Sequence, residues 1–341
     1  MATIKEFKAL RPAAGLEKTV SELPYDVVNT SEARDIAGDN NQSFFHVTRP
    51  EIGLSDSTDP YSEEVYQKGK NNLDAFISDN TLQQDSKASF YAYTLIMSDQ
   101  EQTGLVACVN VDDYFNDIIK KHEYTREDKE NDRTKHLDIL NANTGPVFLL
   151  YKEDGSKEAL FKTIADLEPL YDFVADDGVR HIVRKIDDDN LIQELKKSFR
   201  NDILYIADGH HRAASGARVG KLRREKNSQF TGEEEFNYFL TVIFPHNQLA
   251  ILPYNRAVKD LNNLSEQQFL DKISEEFSVS ESSIKSPEKL HTFSMYINKK
   301  WYELHPKFDI EEDPINSLDV KILQDYILDA ILNITNPRKD K

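Results

Sequence analysis

The residue types best able to do chemistry sit together in Ile203-Leu204-Tyr205-Ile206-Ala207-Asp208-Gly209-His210-His211-Arg212-Ala213-Ala214-Ser215. A short apolar run enters Asp-Gly and leaves straight into a strong helix former, so a helix must start where the strand ends. That junction presents unpaired backbone N–H groups and the positive end of a helix dipole, and it places Arg212 in the first turn, where a guanidinium can clamp an oxyanion. Gly209, His210, His211 and Arg212 are therefore candidate phosphate ligands. The plain structural alternative is a capped strand-to-helix connection in which Asp208 satisfies backbone donors and both histidines face solvent.

Three other stretches carry candidates. In Lys121 to His136, Thr125 with Asp128 reads as a helix start, and Arg126, Lys129, Arg133 and His136 fall on one helical face. Glu123, Glu127 and Glu130 fall on another, and no aliphatic residue appears before Leu137. A helix polar all round is ordinarily solvated and held by i,i+4 pairs; its functional counterpart is a cationic stripe, led by Arg126, beside an anion cleft. His122-Glu123 is no zincin motif, because Arg126 stands where the second histidine would be needed. In Phe44-Phe45-His46-Val47-Thr48-Arg49-Pro50, read as a strand, His46 projects away from Phe45 and Val47 into a cleft or onto the sheet surface. Asn29 with Glu32 has the spacing of a capping box, with Gly38 as the stop, although Glu32 is also a candidate general base.

The 341 residues carry 42 Lys and Arg against 60 Asp and Glu, a net charge of −18. Such a balance opposes broad binding to nucleic acid backbones or anionic lipid. Arg218, Lys221, Arg223, Arg224 and Lys226 form the one concentrated basic run, read as a solvated helix end. The single Cys108 lies among apolar residues, which points to core packing and excludes a disulfide framework. The N-terminus is charged rather than signal-like, and the apolar runs fall well short of the ~20 residues that span a bilayer. These features place the protein in the cytoplasm. A Gly-rich P-loop, a Gly-x-Ser-x-Gly elbow, a dinucleotide fingerprint and the kinase signature set are all missing from the sequence.

Strand and helix signals alternate along the chain, which predicts a mixed α/β fold. Strands or extended chain are expected at 24–28, 43–47, 90–97, 104–109, 146–151, 180–186 and 203–207. Helices are expected at 60–76 and 317–332. Hairpins are expected from 239–244 with 249–253, and from 292–298 with 301–305. The domain reading is a core at 1–235 carrying an insertion at about 52–200, and an α+β region at 236–341 packed on it.

Arg11-Pro12, Pro24-Tyr25-Asp26-Val27-Val28-Asn29, Ser43 to Glu51, Lys121-His122-Glu123 with Thr125-Arg126, Ala207 to Arg212, Tyr254-Asn255-Arg256 and Leu318-Asp319-Val320 resemble, in this order, the bacterial family catalogued as domain of unknown function 1015. Its members usually continue past the segment ending Asn336 to Lys341, which implies a truncated chain. The Asp-Gly-His-His-Arg segment is similar to the phosphate-binding box of the ParB/sulfiredoxin fold, whose members include partition CTPases, sulfiredoxins and free serine kinases. In the free serine kinases a threonine stands where this chain has His211. Sulfiredoxin chemistry is disfavoured, since Cys108 lies outside the box.

This resemblance implies an elaborated nucleotide-binding core and a phosphotransferase that uses ATP, ADP or another nucleotide, with Mg²⁺, on a small hydroxylated metabolite. In that reading Asp208 holds the metal or orients the nucleophile. Glu32 and His46 are further catalytic candidates, and Arg126, Arg49 and His122 further phosphate ligands. The alternative is a nucleotide-binding regulator or partition-like adaptor with little or no turnover, for which no basic recognition helix is evident.

Overall fold

A computed structural model describes residues 2–336; Met1 and residues 337–341, on which the expected truncation falls, lie outside the described residues. The chain divides into two units, Met1–Ala250 and Ile251–Lys341. The division falls after residue 250, beyond the expected boundary at 235.

The strands of the first unit are β1 (Ile4–Lys5), β2 (Leu10–Pro12), β3 (Leu82–Gln84), β4 (Phe90–Met97), β5 (Gln100–Asn110), β6 (Ile119–Lys120), β7 (Val147–Tyr151), β8 (Pro169–Val174), β9 (Arg180–Ile186), β10 (Leu204–Asp208) and β11 (Tyr238–Pro245). Its helices are α1 (Glu17–Val20), α2 (Thr30–Ala37), α3 (Phe45–Thr48), α4 (Glu63–Ser78), α5 (Val111–Phe115), α6 (Glu127–Leu140), α7 (Glu158–Ala165), α8 (Asp189–Phe199) and α9 (His210–Lys226). A nine-stranded mixed sheet runs β6-β10-β7-β11-β5-β4-β9-β8, with β1 added to β5, while β2 and β3 pair separately. Alternation sets its buried face: Val147, Leu149 and Tyr151 of β7 and Leu204 and Ile206 of β10 enter the core with Leu195 and Phe199 of α8. Cys108 is buried, as a core residue should be.

The second unit carries β12 (Phe277–Ser282), β13 (Phe293–Ile297) and β14 (Lys300–Pro306) in the order β12-β14-β13, with α10 (Glu266–Glu276) and α11 (Asp319–Leu323). Phe269, Ile273, Phe277, Leu304 and Ile322 form its core. The expected hairpin between 292–298 and 301–305 is β13-β14, and the expected terminal helix is α11 continued by a π-helical segment, Gln324–Asp329.

Three local expectations need correction. Residues 24–28 form a turn at Tyr25-Asp26, with the Val27 N–H donating to the Pro24 carbonyl at 3.2 Å. Residues 43–47 lead into α3, because Phe45 packs with Ala33, Ala37 and Ile52 while Val47 packs with Leu73, Phe76 and Leu140. Burial on two sides imitated the alternation of a strand. Residues 249–253 do not return along β11, since β5 and β7 already occupy both of its edges. Gln248 instead pins the turn, its Oε1 accepting from the Thr103 N–H at 2.8 Å.

Helix α9 runs back from the end of β10 and lies close on the sheet. Ala213, Gly216, Ala217 and Gly220 recur at three- and four-residue steps along its buried face. A Cβ on Gly216 would stand 2.8 Å from Phe239 Cβ, and one on Gly220 would stand 2.6 Å from the Phe236 carbonyl oxygen. Gly220→Ala therefore forces α9 outward against backbone that cannot yield. The expected loss is about 1–3 kcal/mol of stability, read as a lower denaturation midpoint at unchanged m-value; a midpoint at or above wild type would show the contact to be relieved at no cost.

Candidate functional site

Gly209 stands between β10 and α9 at φ 89°, a left-handed turn that lets strand become helix within one residue. A Cβ there would stand 3.0 Å from Arg212 Nε, so the guanidinium would have to shift by a few tenths of an ångström. No side chain caps the first turn of α9. Arg212 folds back over it: one guanidinium nitrogen donates to the Pro146 carbonyl, Nη2 donates to Asp208 Oδ2 at 2.5 Å, and Asp26 Oδ2 lies 3.9 Å away. The guanidinium is mostly buried, and its Nε is a buried donor without an acceptor.

The turn at Tyr25-Asp26 is thus brought to the Asp208-Arg212 pair from far along the chain. Arg49 anchors that turn, with Nη2 donating to the Val28 carbonyl at 2.6 Å and Nε 3.5 Å from Glu51. Arg133 stacks its guanidinium over Tyr25 at 4.3 Å and pairs with Asp132 at 2.8 Å. Tyr25, Arg133, His136, Thr144, Gly145 and Arg212 all line one small cavity of about 40 Å³. A larger depression of about 370 Å³ lies among α5, α6 and α9, and its lining takes in no residue from 208–212.

The other segment of interest closes on the start of α9. His122 and His210 rings meet edge to face at 4.4 Å, the His122 N–H donates to His210 Nε2 at 3.5 Å, and His210 Nδ1 is 3.9 Å from Glu123 Oε2. His210 is buried, and burial, reinforced by His122, pushes its pKa below the usual histidine value. His211 Nε2 accepts from the Arg126 backbone N–H at 3.1 Å. One donor atom from each of His122, Glu123 and His210 falls within 4.8 Å of the others. The segment therefore adjoins the Asp208-Arg212 turn.

Individual candidates fare differently. Gly209, His210, His211, Arg212, Asp208 and His122 converge on this turn. Arg126 reaches it through its backbone, while its guanidinium is exposed and chelated by Asp128 at 2.7 Å. The Glu32 carboxylate accepts from the Asn29 N–H at 2.8 Å and closes the capping box of α2. His46 lies on α3, with Nε2 3.2 Å from the Asn40 carbonyl. The sequence puts Arg133 on the cationic face but does not mark Tyr25, Asp26 or Glu123 as site residues. Tyr25 and Asp26 stand in a sequence motif whose partner is distant in the chain, and the sequence offers Glu123 only as part of an acidic helical face or a failed zincin spacing.

Helix α6 departs from the solvated reading. It lies between α4 and α9: Tyr66 donates to Asp132 at 2.8 Å, Arg218 to Asn131 at 2.6 Å, and Arg223 pairs with Asp138 at 2.9 Å. Arg224 pairs with Asp112 at 2.6 Å, so much of the basic run is spent within the fold.

The model of the family described as "Protein of unknown function (DUF1015)" matches residues 4–321. No curated protein and no solved structure matches the chain.

His136, at the cavity wall, is buried and donates from Nε2 to the Val47 carbonyl at 3.0 Å. Burial, with Arg133 nearby, holds its pKa down to about 4. Below pH ~6.5 the unfolded chain takes up a proton that the folded chain refuses, so stability falls as pH drops through that value and levels off near the folded pKa. His136→Gln keeps an N–H donor and removes the titration. The difference in unfolding free energy between wild type and variant should change by up to about 3 kcal/mol between pH 7 and pH 4; parallel stability profiles would show that His136 titrates normally.

Proposed function

The chain belongs to the DUF1015 family, and from that premise and the geometry of the turn we propose that it binds the phosphate chain of a nucleotide at Gly209–Arg212 and transfers a phosphoryl group to a small hydroxylated metabolite. The observation that carries this reading is the buried Arg212 Nε, a donor with no acceptor, poised over an uncapped helix N-terminus. A buried N–H of that kind is costly unless a ligand completes it, and a phosphate oxygen does so with charge assistance. The likeness of the segment to the phosphate-binding box of the ParB/sulfiredoxin fold agrees with this assignment.

Phosphoryl transfer asks the protein chiefly for positioning and charge neutralisation. In this reading the first-turn N–H groups and Arg212 hold phosphate oxygens, and Arg133 adds charge from the cavity wall. Asp208 is largely exposed, a hard oxygen donor that suits Mg²⁺ and can orient an acceptor hydroxyl. Mg²⁺ would supply neutralisation of the phosphate oxygens. Arg49 acts by holding the Tyr25-Asp26 turn, and Glu32 by capping α2. The setting is cytoplasmic, where ATP and Mg²⁺ are available, and the ion-paired arginines of the basic run speak against nucleic acid as partner. Among the described residues no helix is long and apolar enough to cross a membrane.

A thermal-shift screen with ATP, ADP, CTP and GTP plus Mg²⁺ tests binding, since a ligand at 100 Kd stabilises by ~2.7 kcal/mol. Arg212→Lys, which keeps a cation but loses the fork, should weaken the bound nucleotide by roughly 10- to 150-fold. Asp208→Asn should leave affinity within about tenfold yet lower phosphotransfer by at least about 100-fold. Binding without turnover on any hydroxylated acceptor would select the regulator instead, and no shift with any nucleotide would remove both readings.

A further inference from the structure

The edge-to-face histidine pair at the start of α9 carries a second consequence, independent of nucleotide. We infer that His122, Glu123 and His210 form a site for a transition-metal dication of the Zn²⁺ or Mn²⁺ class. One ring nitrogen of each histidine and one carboxylate oxygen of Glu123 lie within 4.8 Å of one another. Around a tetrahedral ion with bonds of ~2.0–2.2 Å, donors stand ~3.3–3.5 Å apart, so closure needs movements of about an ångström or less per side chain.

The fold puts that movement where it is cheap. His210 is the buried first residue of a 17-residue helix and is fixed by it. His122 and Glu123 are adjacent on the irregular chain between β6 and α6, with exposed side chains. Two neighbouring ligands on a loop and a third on a rigid element make a chelate that draws the loop onto α9.

Donor chemistry selects the ion. Two imidazoles and one carboxylate match catalytic zinc sites, which leave a further position for water or substrate. Mg²⁺ prefers oxygen ligands and near-ideal octahedral geometry, and it competes poorly for a site with two nitrogens. This site therefore differs in kind from the Mg²⁺ role given to Asp208. His210 and Arg212 share the first turn of α9, so a dication held by His210 adds positive charge beside the anion site.

The competing account is a polar cluster that ties the loop to α9 and binds nothing. Full-length protein, stripped with a chelator and dialysed, would be titrated calorimetrically with ZnCl₂, MnCl₂ and MgCl₂, with metal content per chain read by mass spectrometry. One Zn²⁺ or Mn²⁺ per chain, with Mg²⁺ bound at least about tenfold more weakly, is expected. Glu123→Gln and His122→Gln change exposed side chains and should each weaken binding about 10- to 100-fold without altering the circular dichroism spectrum. Co²⁺ should give visible absorption bands that these variants lose. Absence of stoichiometric binding, or binding undiminished in both variants, would overturn the inference. Because every readout is metal binding, the result is separable from the nucleotide screen.

Discussion

How closely α9 can lie on β11 governs the geometry of everything at its N-terminus. Gly216 and Gly220 leave no room for a methyl group against Phe239 and the Phe236 carbonyl, so backbone meets sheet almost directly. That close approach fixes the helix axis, and with it the direction in which the turn after β10 opens. Gly209 completes the constraint, since a residue confined to negative φ could not join a strand and a helix so abruptly. Asp208 through Arg212 are thus positioned by three glycines, two of them, Gly216 and Gly220, well down the helix from the turn itself.

Once α9 is fixed, its outer face needs a partner that tolerates charge. Helix α6 fills that place with polar side chains: Ser215 donates to the Glu130 carbonyl, and Arg218 and Arg223 reach Asn131 and Asp138. The far side of α6 buries Asp132 and His136 against Tyr66 and the Val47 carbonyl. Asp132 and His136 each have a hydrogen-bonding partner there, which is the condition under which such a helix holds its place. Breaking one partner would leave a desolvated charge, a larger loss than any single apolar contact at the same position. The polar interface is therefore rigid, and it carries Arg133 and the Arg126 backbone to fixed positions around the turn.

Sequence alone revealed the strand-to-helix junction at 204–213, the capping box of α2, most of the sheet strands and the terminal hairpin, because each is written in local periodicity or local turn chemistry. It misread 43–47, where opposite faces are buried by different clusters and a two-residue alternation follows from a helix. It read α6 as solvated because no aliphatic stripe marks it; polar burial has no period of its own and depends on which charges a distant helix supplies. The roles of Tyr25 and Asp26 at the site were hidden for a similar reason. Asp26 meets Arg212 and Tyr25 meets Arg133 across long stretches of the first unit, and neither residue's neighbours in sequence announce it.

The electrostatics of the turn bear on how the proposed dication and the proposed anion would act together. Each nearby arginine already has a carboxylate: Arg126 with Asp128, Arg133 with Asp132, Arg212 with Asp208. With Asp26 and Glu123 also at the turn, carboxylates outnumber these arginines, inside a chain of net charge −18. A phosphate chain arriving there gains the helix dipole and the open Arg212 Nε, but little unbalanced Coulomb attraction. A dication on His122, Glu123 and His210 changes that balance without breaking any of the three pairs, since its ligands are separate from theirs. By linkage, an ion that tightens the anion must be tightened by it to the same extent. On that proposal the paired arginines would serve chiefly for shape and orientation, and the metal would supply the positive charge that the carboxylates have cancelled.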